Sequence, residues 1–445
     1  MKLKFLALFM ALLLACACFV ACNNDTTENE SETGTETETE TETDTETETD
    51  TNAETPGDQT PGDQTPGDQT PGDQTPEDDE DLPDNRPPEE KYADLYADGY
   101  TYYTIGLVPA GSTDKFILDQ GNFEQWYKFQ LLAGESMFGG TYVLATDVKL
   151  NEGNAADWKT TKPKKVSKTE HSLWGFEGVF DGNGKTISGF CMVAGREAGD
   201  NGNLGFFGRL IGAAEVKNLR IVNSYIESKG DSPYCSVGVF ASRLSGPAVK
   251  VTNCYTDAII SGNQGLLGGI VGMVTGAETP QINSCVFAGK IEANGYIGGI
   301  LGFADANAKV AITNCMNLGE LVASENQVIV GGIVGASAFA GNVIGMTYCV
   351  NLSSKVPNAL IGYPGRSMSA MPIIDFVMIT DIGVSNIAPA DAEIKTSNII
   401  EMTFAEFIDS NDKVFDDWTY EAGYIPNPTT HTKIPTSAVT TVSAN

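Results

Sequence analysis

The sequence predicts an all-β solenoid, and three observations carry that reading. First, one unit recurs five times between Leu204 and Tyr363. Its openings are Leu204-Gly-Phe-Phe-Gly208, Val237-Gly-Val-Phe-Ala241, Leu267-Gly-Gly-Ile-Val-Gly272, Ile297-Gly-Gly-Ile-Leu-Gly302 and Val330-Gly-Gly-Ile-Val-Gly335. Each is followed by a second signal: Val222-Asn-Ser-Tyr, Thr252-Asn-Cys-Tyr, Asn283-Ser-Cys-Val, Thr313-Asn-Cys-Met and Thr347-Tyr-Cys-Val. The units lie 30 to 34 residues apart, a period that marks stacked supersecondary units rather than one ordinary globular core. Second, the runs are short, rich in Val and Ile, and broken by glycine. A helix interior loses about 1 kcal/mol per Gly relative to Ala. Paired glycines therefore argue against the helical repeats of similar length, and short β-branched runs between Gly and Asn corners read as strands. Third, Cys254, Cys285, Cys315 and Cys349 return at the period, and Ser224 takes the same place one unit earlier. Equivalent residues of stacked coils sit about 4.8 Å apart, so these should form an inward ladder of small apolar side chains, buried and reduced. A disulfide or metal framework would call for CxxC spacing or histidine partners, which the ladder lacks.

These units resemble the GLUG repeats of bacterial surface proteins, with their Gly-Gly-Ile-Val-Gly core. The segment Phe176-Glu-Gly-Val-Phe-Asp-Gly-Asn-Gly-Lys-Thr-Ile-Ser-Gly-Phe190 resembles the leader that introduces such repeats, and together they cover roughly half the chain. The resemblance implies a right-handed parallel β-helix on a secreted or cell-attached protein. It implies no particular activity, because the repeat occurs beside proteases, adhesins and proteins of no known activity. Val237-Gly-Val-Phe-Ala241 departs from the pattern by lacking the second glycine, and the last unit lacks Asn before Cys349.

In chain order, residues 1–22 read as an export signal. Lys2 and Lys4 give a positive start, and the apolar run Phe5–Val20 is shorter than a membrane-spanning helix needs. Phe19-Val-Ala-Cys22 resembles a bacterial lipobox, which implies lipid attachment at Cys22 and a membrane anchor at the outer face of a bacterial cell. Leu13-Leu-Ala-Cys16 is the alternative, and it would leave an apolar stretch after the cut.

Residues 23–91 read as a disordered stalk. They hold Thr-Glu alternation, Thr-Pro-Gly-Asp-Gln repeats from Thr55 to Gln74, and 25 Asp and Glu against Arg86 and Lys91. With almost no apolar residues, no core could offset the ordering entropy. Proline and self-repulsion would keep such a tether extended, up to roughly 200 Å. The stalk carries −23 of the chain's −32 and the signal's Lys2 and Lys4 carry +2, which leaves residues 92–445 at −11. The Thr content is also compatible with O-glycosylation.

Residues 92–141 form an expected N-terminal cap. Asn122 is placed as the N-cap of a short helix, with Gln125 three residues on and Gly134 as its stop. Phe123, Trp126, Tyr127 and Leu131 make an apolar stripe suited to covering the open first coil. Residues 142–363 form the β-helix, beginning with coils at Tyr142–Leu150 and Gly178–Phe190 and a turn at Asp181–Gly184. About 30 residues per coil gives about seven coils and roughly 35 Å of solenoid at the strand spacing. Residues 364–445 form a C-terminal cap and tail. Thr403-Phe-Ala-Glu406 is a capping box, Met402 and Phe407 are placed as a staple, and Trp418, Tyr420 and Tyr424 pack nearby.

The search for chemistry narrows the function. His171 and His431 are the two histidines, and neither has a second nearby, which argues against a His-based zinc site or a Ser-His-Asp arrangement. Gly182-Asn-Gly-Lys-Thr186 imitates the end of a phosphate loop, but Val179 stands where the first glycine belongs. Asp181-x-Asn183 begins like a calcium loop, and Lys185 spoils the third ligand position. No cofactor and no metal are expected.

A polysaccharide-cleaving β-helix would need carboxylates clustered on adjacent coils. The repeat acids are Glu215, Glu227, Asp231, Asp257, Glu278, Glu292, Asp305, Glu320 and Glu325. Asp257 and Glu320 fall three and five residues past ladder positions, and no adjacent pair shares a register. Net negative charge without a basic stripe argues against nucleic acid. The expectation is an adhesion or ligand-binding module without catalytic residues, for which an extracellular glycan or a host or neighbouring cell surface is the partner. The alternatives are a lyase or hydrolase, and a spacer that binds nothing. Tyr225, Tyr234, Tyr255 and Tyr296 are candidates for a sugar-facing surface, although each could equally be buried, so no binding residue is assigned.

Overall fold

A computed structural model describes residues 84–132, 137–165, 175–194, 203–229, 234–324, 329–337, 343–354, 356, 358–363, 373–384, 386, 396–409, 415, 417–429 and 432–439. The export signal with Cys16 and Cys22, the stalk as far as residue 83, and both histidines lie outside the described residues. No described helix is long and apolar enough to cross a membrane.

The chain winds as a parallel β-solenoid. One regular turn shows the pattern. Leu266–Gly268 lies in a four-stranded sheet (D), and Val271–Val274 lies in an eight-stranded sheet (B). Gln281–Asn283 and Val286–Phe287 lie side by side in the widest sheet (A), and Lys290–Ala293 closes the turn in a five-stranded sheet (C). Each strand pairs in parallel with its equivalent one turn away. About five turns carry the full cross-section, as the five strands of sheet C show. Sheet A extends past residues 142–363 at both ends, from Thr101–Tyr102 to Thr396–Met402.

The break in sheet A is a left-handed corner. Asn218, Asn253, Ser284, Asn314 and Tyr348 hold φ between 52° and 54°, a region in which Asn is tolerated because its short amide bonds locally. Asn253 Nδ2 donates to Asn218 Oδ1 at 2.8 Å, and Asn218 Nδ2 donates to Asp181 Oδ1 at 3.0 Å. The residue after each corner points into the core. Cys254, Cys285, Cys315 and Cys349 form that column, fully buried and without disulfides. Each sulfur lies 3.2 to 3.6 Å from the carbonyl oxygen two residues earlier.

Ser224 is not the first rung. Lys217 pairs with Thr252 and Arg220 with Tyr255, so Leu219 stands where Cys254 does one turn later. Ser224 belongs to the next corner, where its carbonyl accepts from Ile259 N. Val222-Asn-Ser-Tyr copies the motif one corner too late, because Asn218 and Asn253 are 35 residues apart rather than about 30.

Glycine fixes the fold-back between sheets D and B. A Cβ on Gly268 would stand 1.8 Å from Val271 O, and one on Gly302 would stand 2.6 Å from Leu267 backbone atoms of the previous turn. The middle glycine makes room for a corner side chain. A Cβ on Gly269 would meet the Phe287 ring at 2.3 Å, and one on Gly299 would meet Asn317 at 2.3 Å. Val239 occupies that place in the turn whose corner residue is Thr256, the smaller counterpart of Phe287 by register. The missing glycine is therefore matched by a smaller neighbour.

Aromatic side chains fill the N-terminal end. The helix Phe123–Leu132 buries Phe123, Trp126 and Tyr127. The Tyr127 ring stacks 5.0 Å from Phe206, and Trp126 lies 5.3 Å from Phe180. Asn122 does not cap this helix with its side chain. Its Oδ1 accepts from Asp119 N, and its amide donates back to Tyr103 O and Ile117 O. Asp119 organises the entry instead: it accepts from Tyr92 and Tyr102 hydroxyls at 2.7 and 2.8 Å and from Gly121 N. Burial pushes its carboxyl upward, but these donors outweigh burial and hold it below the usual carboxylate range. The end of the expected stalk is ordered, because Pro88–Lys91 is a helical turn and Tyr92 packs with Ile117 and Val143.

At the other end, Thr403 and Glu406 form the expected capping box. Met402 and Phe407 join the main core, and Trp418 lies 6.0 Å from Phe407 and 4.6 Å from Phe415.

Candidate functional site on the outer faces

Side chains alternate across each strand, so every inward ladder has an outward one. On sheet C, parallel register aligns Cys191, Tyr225, Ile259, Lys290 and Glu320, and beside them Val193, Glu227, Ser261, Glu292 and Val322. Glu227 and Glu292 thus share a column two turns apart, about 10 Å along the axis, with Ser261 between them.

An arm covers this face. The 3-10 turn Ala155–Lys159 is capped by Asn154 and tied down where Ala155 N donates to Asn223 Oδ1 at 2.8 Å. Ala155 and Trp158 pack on Cys191 and Tyr225. Lys162 Nζ sits 4.5 Å from the Tyr225 ring centre and 2.7 Å from Glu227, and Lys159 lies 3.0 Å from Glu292. The Lys159 bond holds the Glu292 carboxyl below its ordinary value, which suits an ion pair rather than a general acid. Asp257 is pushed upward by burial, while Asn223 N donates to it at 2.6 Å.

The edge where sheets B and D fold together is different. Leu210, Leu244, Val274 and Ala304 point into the core. The residues that alternate with them are Arg209, Arg243, Met273 and Phe303, aligned by register and continued through Ala336 to Tyr363. Six strands at this spacing make a stripe about 24 Å long. From sheet D, Leu266, Tyr296 and Ile329 form the matching column. The Tyr296 and Phe303 rings lie 5.3 Å apart at 31°. Burial, then the neighbouring phenols of Tyr363 and Tyr234, push the Tyr296 hydroxyl above its ordinary value.

Neither Arg209 nor Arg243 has a hydrogen bond or ion pair to a described residue, and the Nε of each is buried without an acceptor. Burial and then the adjacent Arg209 charge lower Arg243, and Asp305 opposes this. The Tyr296–Phe303 pair, Tyr363 and two guanidinium groups without a partner among the described residues lie along this edge and can stack on flat apolar ligand faces and bond anionic or hydroxyl groups.

The tyrosine candidates separate in space. Tyr225 is fully buried under Lys162, so it lines no surface. Tyr255 lies in sheet A beneath Arg220, 5.4 Å from its ring centre. Tyr296 and Tyr234 belong to the B–D edge, and Tyr234 is 39% exposed. Sequence reading missed Arg209, Arg243, Phe303 and Tyr363. The signal is the residue after each closing glycine, or after Ser242 in its place: Gly208-Arg, Ser242-Arg, Gly272-Met, Gly302-Phe, Gly335-Ala and Gly362-Tyr.

Two shallow clefts lie at the N-terminal end. One is lined by Lys149, Lys162, Lys164 and Lys165, and three of these already pair with Glu152, Glu227 and Glu124 respectively. The other lies beside Thr101 and Lys115. No group of three or more His, Cys, Asp and Glu among the described residues is arranged to hold a metal ion.

No protein-family model matches the chain, and no curated protein matches it. Its structure is similar to a crystal structure from Bacteroides ovatus described as a putative immunoglobulin A1 protease. The TM-score is 0.39 at 15% sequence identity, over 75% of this chain and 95% of that one.

Proposed function

We propose that this chain is an exported, lipid-anchored binding module of the GLUG-repeat kind. In this reading, Cys22 carries the lipid, the acidic stalk holds the solenoid away from the membrane, and the B–D edge engages an elongated extracellular glycan on a host or neighbouring cell. The observation that supports it is the six-strand stripe from Arg209 to Tyr363, which carries two guanidinium groups without a partner among the described residues and the rings of Phe303 and Tyr363. A regular solenoid presents such a line to an extended ligand without rearrangement.

A second reading has one observation in its favour: Glu227 and Glu292 share a column two turns apart, and polysaccharide cleavage uses a pair of carboxylates. Their lysine partners and the covering arm favour binding over cleavage. A glycan array run beside reducing-sugar and unsaturated-product assays separates the readings. Binding without product is expected. Product formation that disappears in Glu227→Gln or Glu292→Gln would replace the binding module with an enzyme, and silence in both assays would leave a spacer. Loss of lipid incorporation in Cys22→Ala is the matching test of the anchor, and loss in Cys16→Ala alone would move the site.

A further inference from the structure

We infer that Arg209 and Arg243 form an anion subsite, so that the ligand of the B–D edge is an acidic glycan whose carboxylate or sulfate groups bridge the two guanidinium groups. This rests on the glycan-binding reading above and adds the charge of the ligand to it.

The argument begins with register. Arg209 pairs with Arg243 in adjacent parallel strands, so the two side chains leave the sheet about 4.8 Å apart. Like charges at directly paired positions are unfavourable, and an acid on a neighbouring strand would normally relieve them. The next residues in the column are Met273 and Phe303, which are apolar. Asp305 is the acid whose charge reaches Arg243, yet it makes no ion pair with it among the described residues.

Elsewhere on the same solenoid, two outward lysines are matched by an acid on their own strand. Lys290 faces Glu292 at 3.4 Å, and Lys217 faces Glu215 at 3.3 Å. The strands Phe207–Ile211 and Ala241–Ser245 carry no such acid beside their arginines, on a domain with net negative charge. Both Nε atoms are buried and lack acceptors, so the terminal nitrogens of the two guanidinium groups are the donors a bound oxyanion would meet. Arginine forks bind planar carboxylate and tetrahedral sulfate through two parallel N–H bonds. The Tyr296–Phe303 pair lies two turns along the same line, placed to stack on a sugar ring of the same chain.

Affinity electrophoresis of the full chain in gels containing polygalacturonate, heparin or dextran tests this. Polygalacturonate supplies carboxylates, heparin supplies sulfates as well, and dextran is neutral. Retardation by one or both acidic polymers, weakened by salt, is expected, and which of them binds identifies the anion. The double variant Arg209→Gln/Arg243→Gln should lose about tenfold in affinity or more. Arg209→Lys/Arg243→Lys should recover part of that loss, because charge returns without the fork. Circular dichroism and thermal unfolding report whether each variant folds, and the single variants serve if a double variant does not. Equal retardation by dextran, or an unchanged double Gln variant, would overturn the anion subsite while leaving glycan binding intact. No retardation by any polymer, together with a silent glycan array, would overturn both. A Phe303-dependent dimer in light scattering would assign the stripe to a second copy of the chain instead.

Discussion

On the outer surface of sheet C, Glu227 and Glu292 meet Lys162 and Lys159 from an arm that also buries Cys191 and Tyr225. At the B–D edge, on the same turns, Arg209 and Arg243 meet no such partner among the described residues, and the Phe303 and Tyr296 rings lie against each other at 5.3 Å and 31°. Both faces are columns made by one repeat, so the fold does not explain the difference. It comes from which variable residues occupy outward positions and from one inserted segment, Asn151–Lys165. A solenoid face becomes a structural surface when an insertion satisfies its charges, and it stays available for a ligand when none does.

The comparison would collapse most completely if the fold-back between sheets B and D were forced open. Gly268→Val places branched carbon where a Cβ already stands 1.8 Å from Val271 O. The expected cost is about 3 kcal/mol or more, read as a fall in the urea midpoint or loss of soluble protein. A variant of wild-type stability would contradict the interlocked glycines.

The shared interior is the next place to press. Cys285→Asp buries a carboxylate in a column with no cation and should cost several kcal/mol, whereas Cys285→Ala should cost about 1 to 2 kcal/mol. Burial holds the Cys254 and Cys315 thiols well above their ordinary values. All four ladder thiols are fully buried, and they should resist labelling in the native protein and react after denaturation. Rapid native labelling of all four would contradict the ladder.

Asp119 tests the N-terminal anchor. Asp119→Asn removes charge-assisted bonds from two tyrosines and should cost about 2 kcal/mol at neutral pH. Its folded carboxyl titrates below the unfolded value, so this contribution is complete above the ordinary carboxylate pKa of about 3.9 and is lost as pH falls through the lower folded value. The gap between wild type and variant in urea should accordingly shrink in acid. A gap that widens in acid would contradict the assignment.

The smallest stability effect should come from Lys162→Gln, below about 1 kcal/mol because the pair is partly solvated. Its value is in sharpening the contrast. Loosening the arm should raise the labelling rate of Cys191, whose thiol burial pushes up to about 11, while the ladder cysteines stay protected.

Much of this architecture was legible in the sequence. Glycine pairs and periodic cysteines announce stacked strands, because only residues without bulk fit where backbones close to contact. The apolar stripe of Phe123, Trp126 and Tyr127 announced its own burial. The first rung was misread because Asn223-Ser224 copies Asn253-Cys254 in composition while hydrogen-bond register places Leu219 there. The order at Pro88–Lys91 escaped composition because Tyr92 and Asp119, 27 residues apart, hold it from outside. The candidate site was the least legible part. Arg209, Arg243 and Phe303 are spread over nearly a hundred residues, and only lateral pairing brings them into one line. Tyr225 and Tyr296 stand in different sheets, and only lateral pairing shows that the arm covers the first and not the second.

The central claim is that the B–D edge, not sheet C, is the binding face. Glycan-array binding of the full chain, compared between Phe303→Ala and Lys162→Gln, tests it directly. The account predicts that Phe303→Ala loses about tenfold or more in affinity while keeping its thermal stability within a few degrees, because a stacking ring on a ligand contributes about 1 to 3 kcal/mol by analogy with base stacking. It predicts that Lys162→Gln binds as wild type does. Binding that survives Phe303→Ala and fails in Lys162→Gln would contradict the account and move the site to sheet C.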